Sequence, residues 1–163
     1  MTEAETIPPF ERFYLAHRDE VLGYLRRLLG PRAEDAWQET FLRALRAYGR
    51  LQHGRHLRAW VFTIATNVAL DELRTPASNS LLQAEAGPAV EANGFEPRRD
   101  AFHELEHLTG ELPPTERAAV VLRYGYDLPY TRIADALGSS EEAARAAASS
   151  GVRRLRRTHE RHT

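Results

Sequence analysis

Between Thr75 and about Arg99 the chain loses all helical periodicity, whereas on both sides apolar residues recur every three or four positions. Pro76, Ser78, Asn79, Ser80, Gly87, Pro88, Asn93, Gly94 and Pro97 crowd this gap, a composition that favours a flexible linker. One short helical turn is expected inside it, near Leu81-Leu82. The break restricts the fold to two small all-α units, with expected limits of 1–75 and 101–163 around a linker at 76–100.

Ahead of the gap, Phe10, Phe13, Tyr14, His17, Val21, Tyr24, Leu25 and Leu28 make a first stripe that stops at Gly30-Pro31. A second helix is expected over about 33–48. A third stripe uses Leu57, Trp60, Val61, Ile64, Val68 and Leu73 and ends before Thr75-Pro76. Three such helices can close a core by themselves.

Within the second helix, the run Ala33-Glu34-Asp35-Ala36-Trp37-Gln38-Glu39-Thr40-Phe41 sets Asp35, Gln38 and Glu39 on one flank. Ala33, Trp37, Phe41 and Ala44 point the other way. An acidic and amide face on a short amphipathic helix suits a basic protein partner better than catalysis.

Beyond the gap, Phe102, Leu105, His107 and Leu108 resume the pattern, and Leu112-Pro113-Pro114-Thr115-Glu116 opens a helix through Val120, Val121 and Tyr124. The stretch from Pro129 to Ser140 reads as a helix, a tight turn and a new cap. Ile133, Ala134 and Leu137 bury one face, Gly138 supplies the left-handed turn, and Ser140 or Ser139 caps a helix over about 141–157. This is a helix-turn-helix pattern, whose second helix enters the major groove in DNA-binding proteins. A plain helical hairpin with a solvated arginine end accounts for the same spacing. Ala143, Ala144, Ala146, Ala147 and Ala148 favour the helix but offer little to base edges. Arg145 is the one long donor in the first two turns after Glu141-Glu142.

The charge is distributed to match. The 163 residues carry a net charge of −1, and all 22 basic residues are arginine. Residues 1–75 sum to +1, residues 76–111 to −5 and residues 112–163 to +3. A mildly basic C-terminal part implies weak unaided DNA affinity. Cysteine is absent, which excludes disulfides and thiolate chemistry and permits a reducing compartment. No run approaches the roughly 18–20 apolar residues of a membrane span, and the acidic start Met1-Thr2-Glu3-Ala4-Glu5 lacks an export signal. A cytoplasmic protein is expected.

One pattern has an enzymatic reading. His103-Glu104-Leu105-Glu106-His107 has the HExxH spacing of zinc hydrolases, with Glu104 placed to activate a metal-bound water. Glu106 puts a charge where such enzymes bury the helix, and no third ligand follows at a matching interval. A solvated acidic helix is the simpler account. Neither a Ser/His/Asp set nor a glycine-rich phosphate loop is present, so no enzymatic activity, cofactor or metal is expected.

Taken together, the motifs resemble the extracytoplasmic-function group of bacterial sigma-70 factors. The resemblance rests on Arg26-Arg27-Leu28-Leu29-Gly30, Ala33-Glu34-Asp35, Gln38 to Leu45, Leu57 to Arg74, Leu112-Pro113 with Glu116-Arg117, Val121 to Tyr124, and Tyr130 with Ile133-Ala134, Leu137-Gly138 and Ser140. It implies a two-domain sigma factor that binds core RNA polymerase and directs promoter-specific initiation. Asp35, Gln38, Glu39 and Phe41 are implied to meet the polymerase β′ coiled coil, and the second domain the β flap. Arg58, Trp60, Asn67, Asp71 and Arg74 are implied to act at the −10 element, where the Gly49–His56 loop helps hold an extruded base. Strand opening is favoured when a flipped base gains a pocket that offsets lost stacking. An exposed stripe with an Asp71–Arg74 ion pair is the plain structural alternative.

Thr131, Ser140, Arg145, Ser149 and Arg153 are implied at the −35 element. Here the sequence departs from the family: Ala143-Ala144 replaces a common threonine-valine pair, and Thr75-Pro76-Ala77-Ser78 replaces a basic run. An adaptor that holds polymerase with degenerate −35 recognition is therefore the alternative reading. The family further implies a free monomer, sequestration by an anti-sigma protein, and packing of the two domains that covers DNA-facing surfaces.

Overall fold

The computed structural model describes residues 6–74 and 109–161. The expected linker, the turn near Leu81-Leu82, the restart at Phe102–Leu108 and the His103–His107 motif lie outside the described residues. Among those residues every regular element is helical: α1 Phe10–Leu29, α2 Ala33–Tyr48, α3 Leu57–Leu73, α4 Pro114–Val120, α5 Tyr130–Leu137 and α6 Glu141–Arg161.

Helix α1 carries Glu11 in its first turn and Arg26 and Arg27 in its last, a charge order that complements the helix dipole. Gly30 ends it at φ 61°, and Pro31 sits in the 3-10 turn that leads into α2. The N-terminal core is aromatic. Phe13 packs within 5.6 Å, centroid to centroid, of Phe10, His17, Tyr48 and Trp60. Tyr24 is fully buried and shares a 2.6 Å hydrogen bond with Thr66. Burial there pushes its phenol pKa upward.

In the C-terminal unit, α4 runs into a π-helical turn at Val121–Gly125, a local widening that the apolar pattern does not signal. Gly138 adopts φ 64°, a conformation open to glycine without a Cβ penalty, and the chain turns there from α5 to α6. Ser140 Oγ accepts the Ala143 N–H at 3.0 Å, which makes Ser140 the cap of α6. The helix extends to Arg161, four residues past its expected end. Arg154 closes the unit by donating to both Glu116 oxygens at 2.9 and 3.1 Å.

Helix α3 differs from its neighbours because it is apolar nearly all round. Val61, Phe62, Ala65, Val68, Ala69 and Leu70 are buried, and Leu57, Trp60, Ile64 and Leu73 are partly so. Such a helix needs cover on more than one side. It packs against α1 and α2 on one side and against α5 and α4 on the other. Buried side chains of the two units consequently form one continuous cluster.

Candidate functional site

Three surfaces carry the residues singled out in the sequence. The first is the outer face of α2. Asp35 and Gln38 are exposed and Glu39 is half-buried, where it accepts a 2.9 Å hydrogen bond from Arg43. Phe41 does not join them. It is 7% exposed, locked edge-on to Tyr14 at 5.1 Å and to Trp37 at 5.7 Å. Phe41, implied by the resemblance to meet a partner, supports the helix from inside the core.

Two leucines that the apolar spacing did not single out take its place. Leu42 and Leu45 are 47% and 52% exposed. Asp35, Gln38, Leu42 and Leu45 follow one another at intervals of three, four and three, so they form a single seam along α2. That interval is the one with which helices pair in a coiled coil.

The second surface joins the Gly49–His56 loop to α3. Asn67, Asp71 and Arg74 are all exposed on α3. Asp71 stands 3.9 Å from Arg74 and 4.0 Å from Arg43, loose pairs at exposed sites that contribute little stability. Beside them is a cleft of about 360 Å³ lined by Arg43, Arg46, Ala47, Arg50, Trp60, Ile64 and Asn67. Its apolar floor and arginine rim suit a planar base with its phosphate. The N-terminal segment steadies this region: the Tyr48 hydroxyl donates to the Pro8 carbonyl, and Thr6 crosses so close to Gly54 that a Cβ there would collide with the Thr6 carbonyl oxygen.

Trp60 lines the cleft and also packs against Phe13 and Tyr48. Arg58 is placed elsewhere. Its Nε and Nη2 donate to the Glu20 carboxylate at 2.7 and 3.2 Å, and Nη2 also donates to the Tyr126 carbonyl at 3.0 Å. In this arrangement Arg58 ties the two units together.

The third surface is the helix-turn-helix. Thr131 and Ser149 are exposed, and Ser140 is occupied as a cap. Arg145 donates to Glu141 at 2.6 Å and lies 4.8 Å over the Tyr130 ring, with Arg123 on the same ring at 4.6 Å. Arg153 donates to Ser150 at 3.1 Å. The loop and this unit meet in a second cleft, where Arg50, His53, Arg55, His56 and Trp60 face Arg132 and Asp135 of α5.

Comparison with known proteins decides the family. Residues 13–78 match Sigma-70 region 2, and residues 110–157 match Sigma-70, region 4. The chain is 34% identical over 152 residues to the RNA polymerase sigma factor CarQ of Myxococcus xanthus, spanning 90% of this chain and 87% of that relative. It is 33% identical to the ECF RNA polymerase sigma factor BldN of Streptomyces coelicolor, over 91% of this chain and 59% of BldN. The chain belongs to the extracytoplasmic-function group of sigma-70 factors.

The fold of this sigma factor is also that of RpoE from Bartonella quintana, solved with the anti-sigma factor NepR. The TM-score is 0.70 at 19% identity, covering 93% of this chain and 96% of that one. Among the described residues of the sigma factor, no helix is long and apolar enough to cross a membrane, and no three His, Asp or Glu side chains gather as metal ligands.

Proposed function

We propose that this sigma factor docks on core RNA polymerase through the α2 seam, with Asp35, Gln38, Leu42 and Leu45 in contact and Glu39 at the edge. The observation that carries the reading is the exposure of two leucines in register with an acid and an amide. Large exposed apolar side chains in register with polar ones mark a protein-binding surface more often than a catalytic one. A basic coiled coil, such as that of the β′ subunit, has the matching shape and charge.

Promoter melting falls to the cleft between α2 and α3. A base stacked on Trp60, with Asn67 at its edge and Arg43, Arg46 and Arg50 on the phosphates, gains contacts that favour the opened strand. Helix α6 then approaches the −35 element mainly through phosphate contacts, because Ala143 and Ala146 offer no base-reading groups. The β flap is the partner proposed for this second unit, and an anti-sigma protein of the kind that binds RpoE is the regulator.

The test is capture of core polymerase by the full chain, followed by run-off transcription and promoter mapping. Defined start sites support a sigma factor working through both promoter elements. Capture without promoter-specific starts supports the adaptor reading, which the alanine face of α6 favours.

A further inference from the structure

Two arginines converge on one aromatic ring inside the helix-turn-helix. Tyr130 is the first residue of α5, half-buried and packed against the core. Arg123 reaches its ring from the π-helical turn, 4.6 Å from the centroid. Arg145 reaches it from the second turn of α6, 4.8 Å from the centroid. A guanidinium is drawn to the negative face of a ring, but two cations at one ring also repel each other. Only one of them is neutralised. Arg145 donates to the Glu141 carboxylate at 2.6 Å, and both partners of that pair are exposed. Arg123 donates instead to the Leu128 carbonyl at 3.2 Å, and among the described residues no carboxylate pairs with it.

We infer that Tyr130 is a positioning residue for −35 binding: it aims Arg123 and Arg145 at the phosphate backbone of the promoter duplex, and Glu141 holds Arg145 until a phosphate displaces the carboxylate. The inference rests on the proposed phosphate contacts of α6 and names the side chain that aims them. A freely rotating arginine loses conformational freedom when it meets DNA, which weakens the contact. Over the Tyr130 ring each guanidinium is ordered beforehand, and its remaining N–H groups stay available to an oxygen acceptor. The exposed Glu141–Arg145 pair adds little to stability, so exchanging a carboxylate for a phosphate leaves the fold intact. The arrangement also suits a helix whose neighbouring Ala143 and Ala146 end in methyl groups: its affinity comes from a few ordered cations.

The test uses holoenzyme assembled from core polymerase and the full chain, titrated over a range of salt with a duplex that covers the −35 element of a mapped promoter. Arg145→Ala should weaken binding by about tenfold and lower the salt slope by about one. Tyr130→Leu, which keeps apolar bulk but removes the ring, should weaken it by about tenfold, whereas Tyr130→Phe, which keeps the ring face, should bind as the native chain does. Glu141→Gln should tighten binding by about threefold, and the gain should vanish when Arg145→Ala is also present.

Native affinity in a folded Tyr130→Leu variant overturns the positioning role, as does a Tyr130→Phe variant that is weakened as much as Tyr130→Leu. Should Tyr130→Leu fail to fold, Glu141→Gln decides: equal tightening with and without Arg145 means that the acid acts only through its charge, and the inference falls. If Arg145→Ala leaves both affinity and salt slope unchanged, the proposed phosphate contact of α6 is what fails. Loss of binding in Arg145→Ala without the Tyr130 and Glu141 effects leaves that contact standing and removes only the aiming device.

Discussion

Helices α2 and α6 both open on a pair of acids, Glu34-Asp35 and Glu141-Glu142, and both bury alanines against their neighbours. What they leave to solvent differs. Helix α2 presents Asp35, Gln38, Leu42 and Leu45, side chains with enough area and polarity to make a protein interface. The first turns of α6 present Ala143, Arg145, Ala146 and Ser149, and Arg145 is already engaged by Glu141 and Tyr130. We therefore propose that partner binding is concentrated in α2, whereas α6 offers helix stability and a basic end at Arg153, Arg156 and Arg157.

The largest expected effect separates two adjacent residues of α2. Phe41→Ala should lower stability by about 3–5 kcal/mol, the usual result of emptying a core aromatic site. Leu42→Ala should change stability by about 0.5 kcal/mol or less, as at other surface positions. Urea denaturation of both variants checks this; equal losses would break the assignment of Leu42 to the exposed seam.

Next in size, Asn67→Ala should reduce open-complex formation by roughly tenfold, the scale of one lost buried contact of about 1.4 kcal/mol, with little change in core affinity. Permanganate reactivity of the melted strand, measured beside polymerase binding, reads the two steps separately. On α6, Ala146→Arg should strengthen binding to duplex promoter DNA and steepen its salt dependence by about one unit of slope. An unchanged slope would mean that this face of α6 does not approach phosphate.

The smallest effect lies in α1. His17 is half-buried beside Phe13, and burial lowers its pKa from the ordinary 6.5; Glu20 opposes the shift and Arg58 adds to it. The unfolded chain therefore takes up the proton first as pH falls. Stability should be level above about pH 6.5 and decline below it, and His17→Gln should flatten that decline.

Helix ends were readable from single residues: Gly30-Pro31 stops α1, Gly138 turns α5 into α6, and Ser140 caps α6. The partner role of Phe41 comes from the resemblance, whereas its spacing already puts it on the apolar side of α2, where it is buried. Spacing suggested a buried line of Ala33, Trp37, Phe41 and Ala44, whereas the buried side is Ala33, Ala36, Thr40, Phe41 and Ala44, with Trp37 half out. Thr40 is tolerated inside because its hydroxyl donates to the Ala36 carbonyl at 2.7 Å. The clasp between the two units, in which Arg27 and Arg58 donate to Tyr126, was not legible residue by residue. Tyr126 and Asp127 carry no motif, Arg27 stands only within a stretch shared with the family, and Arg58 is implied by the resemblance at the −10 element. The signal that could have found it is the apolar residues on nearly all sides of α3, which need cover beyond the three-helix core that the spacing implies.

Whether α2 holds core polymerase through its outer seam is decided by equilibrium binding of the full chain to core enzyme at moderate salt. The native sequence is compared with a variant combining Asp35→Ala, Gln38→Ala, Leu42→Ala and Leu45→Ala. Binding should weaken by about a hundredfold or more in the variant, with its helical content and melting curve retained; loss of about 2.7 kcal/mol over four interface positions is within the range of interface hot spots. Native affinity retained by the folded quadruple variant would mean that the seam is not the docking surface.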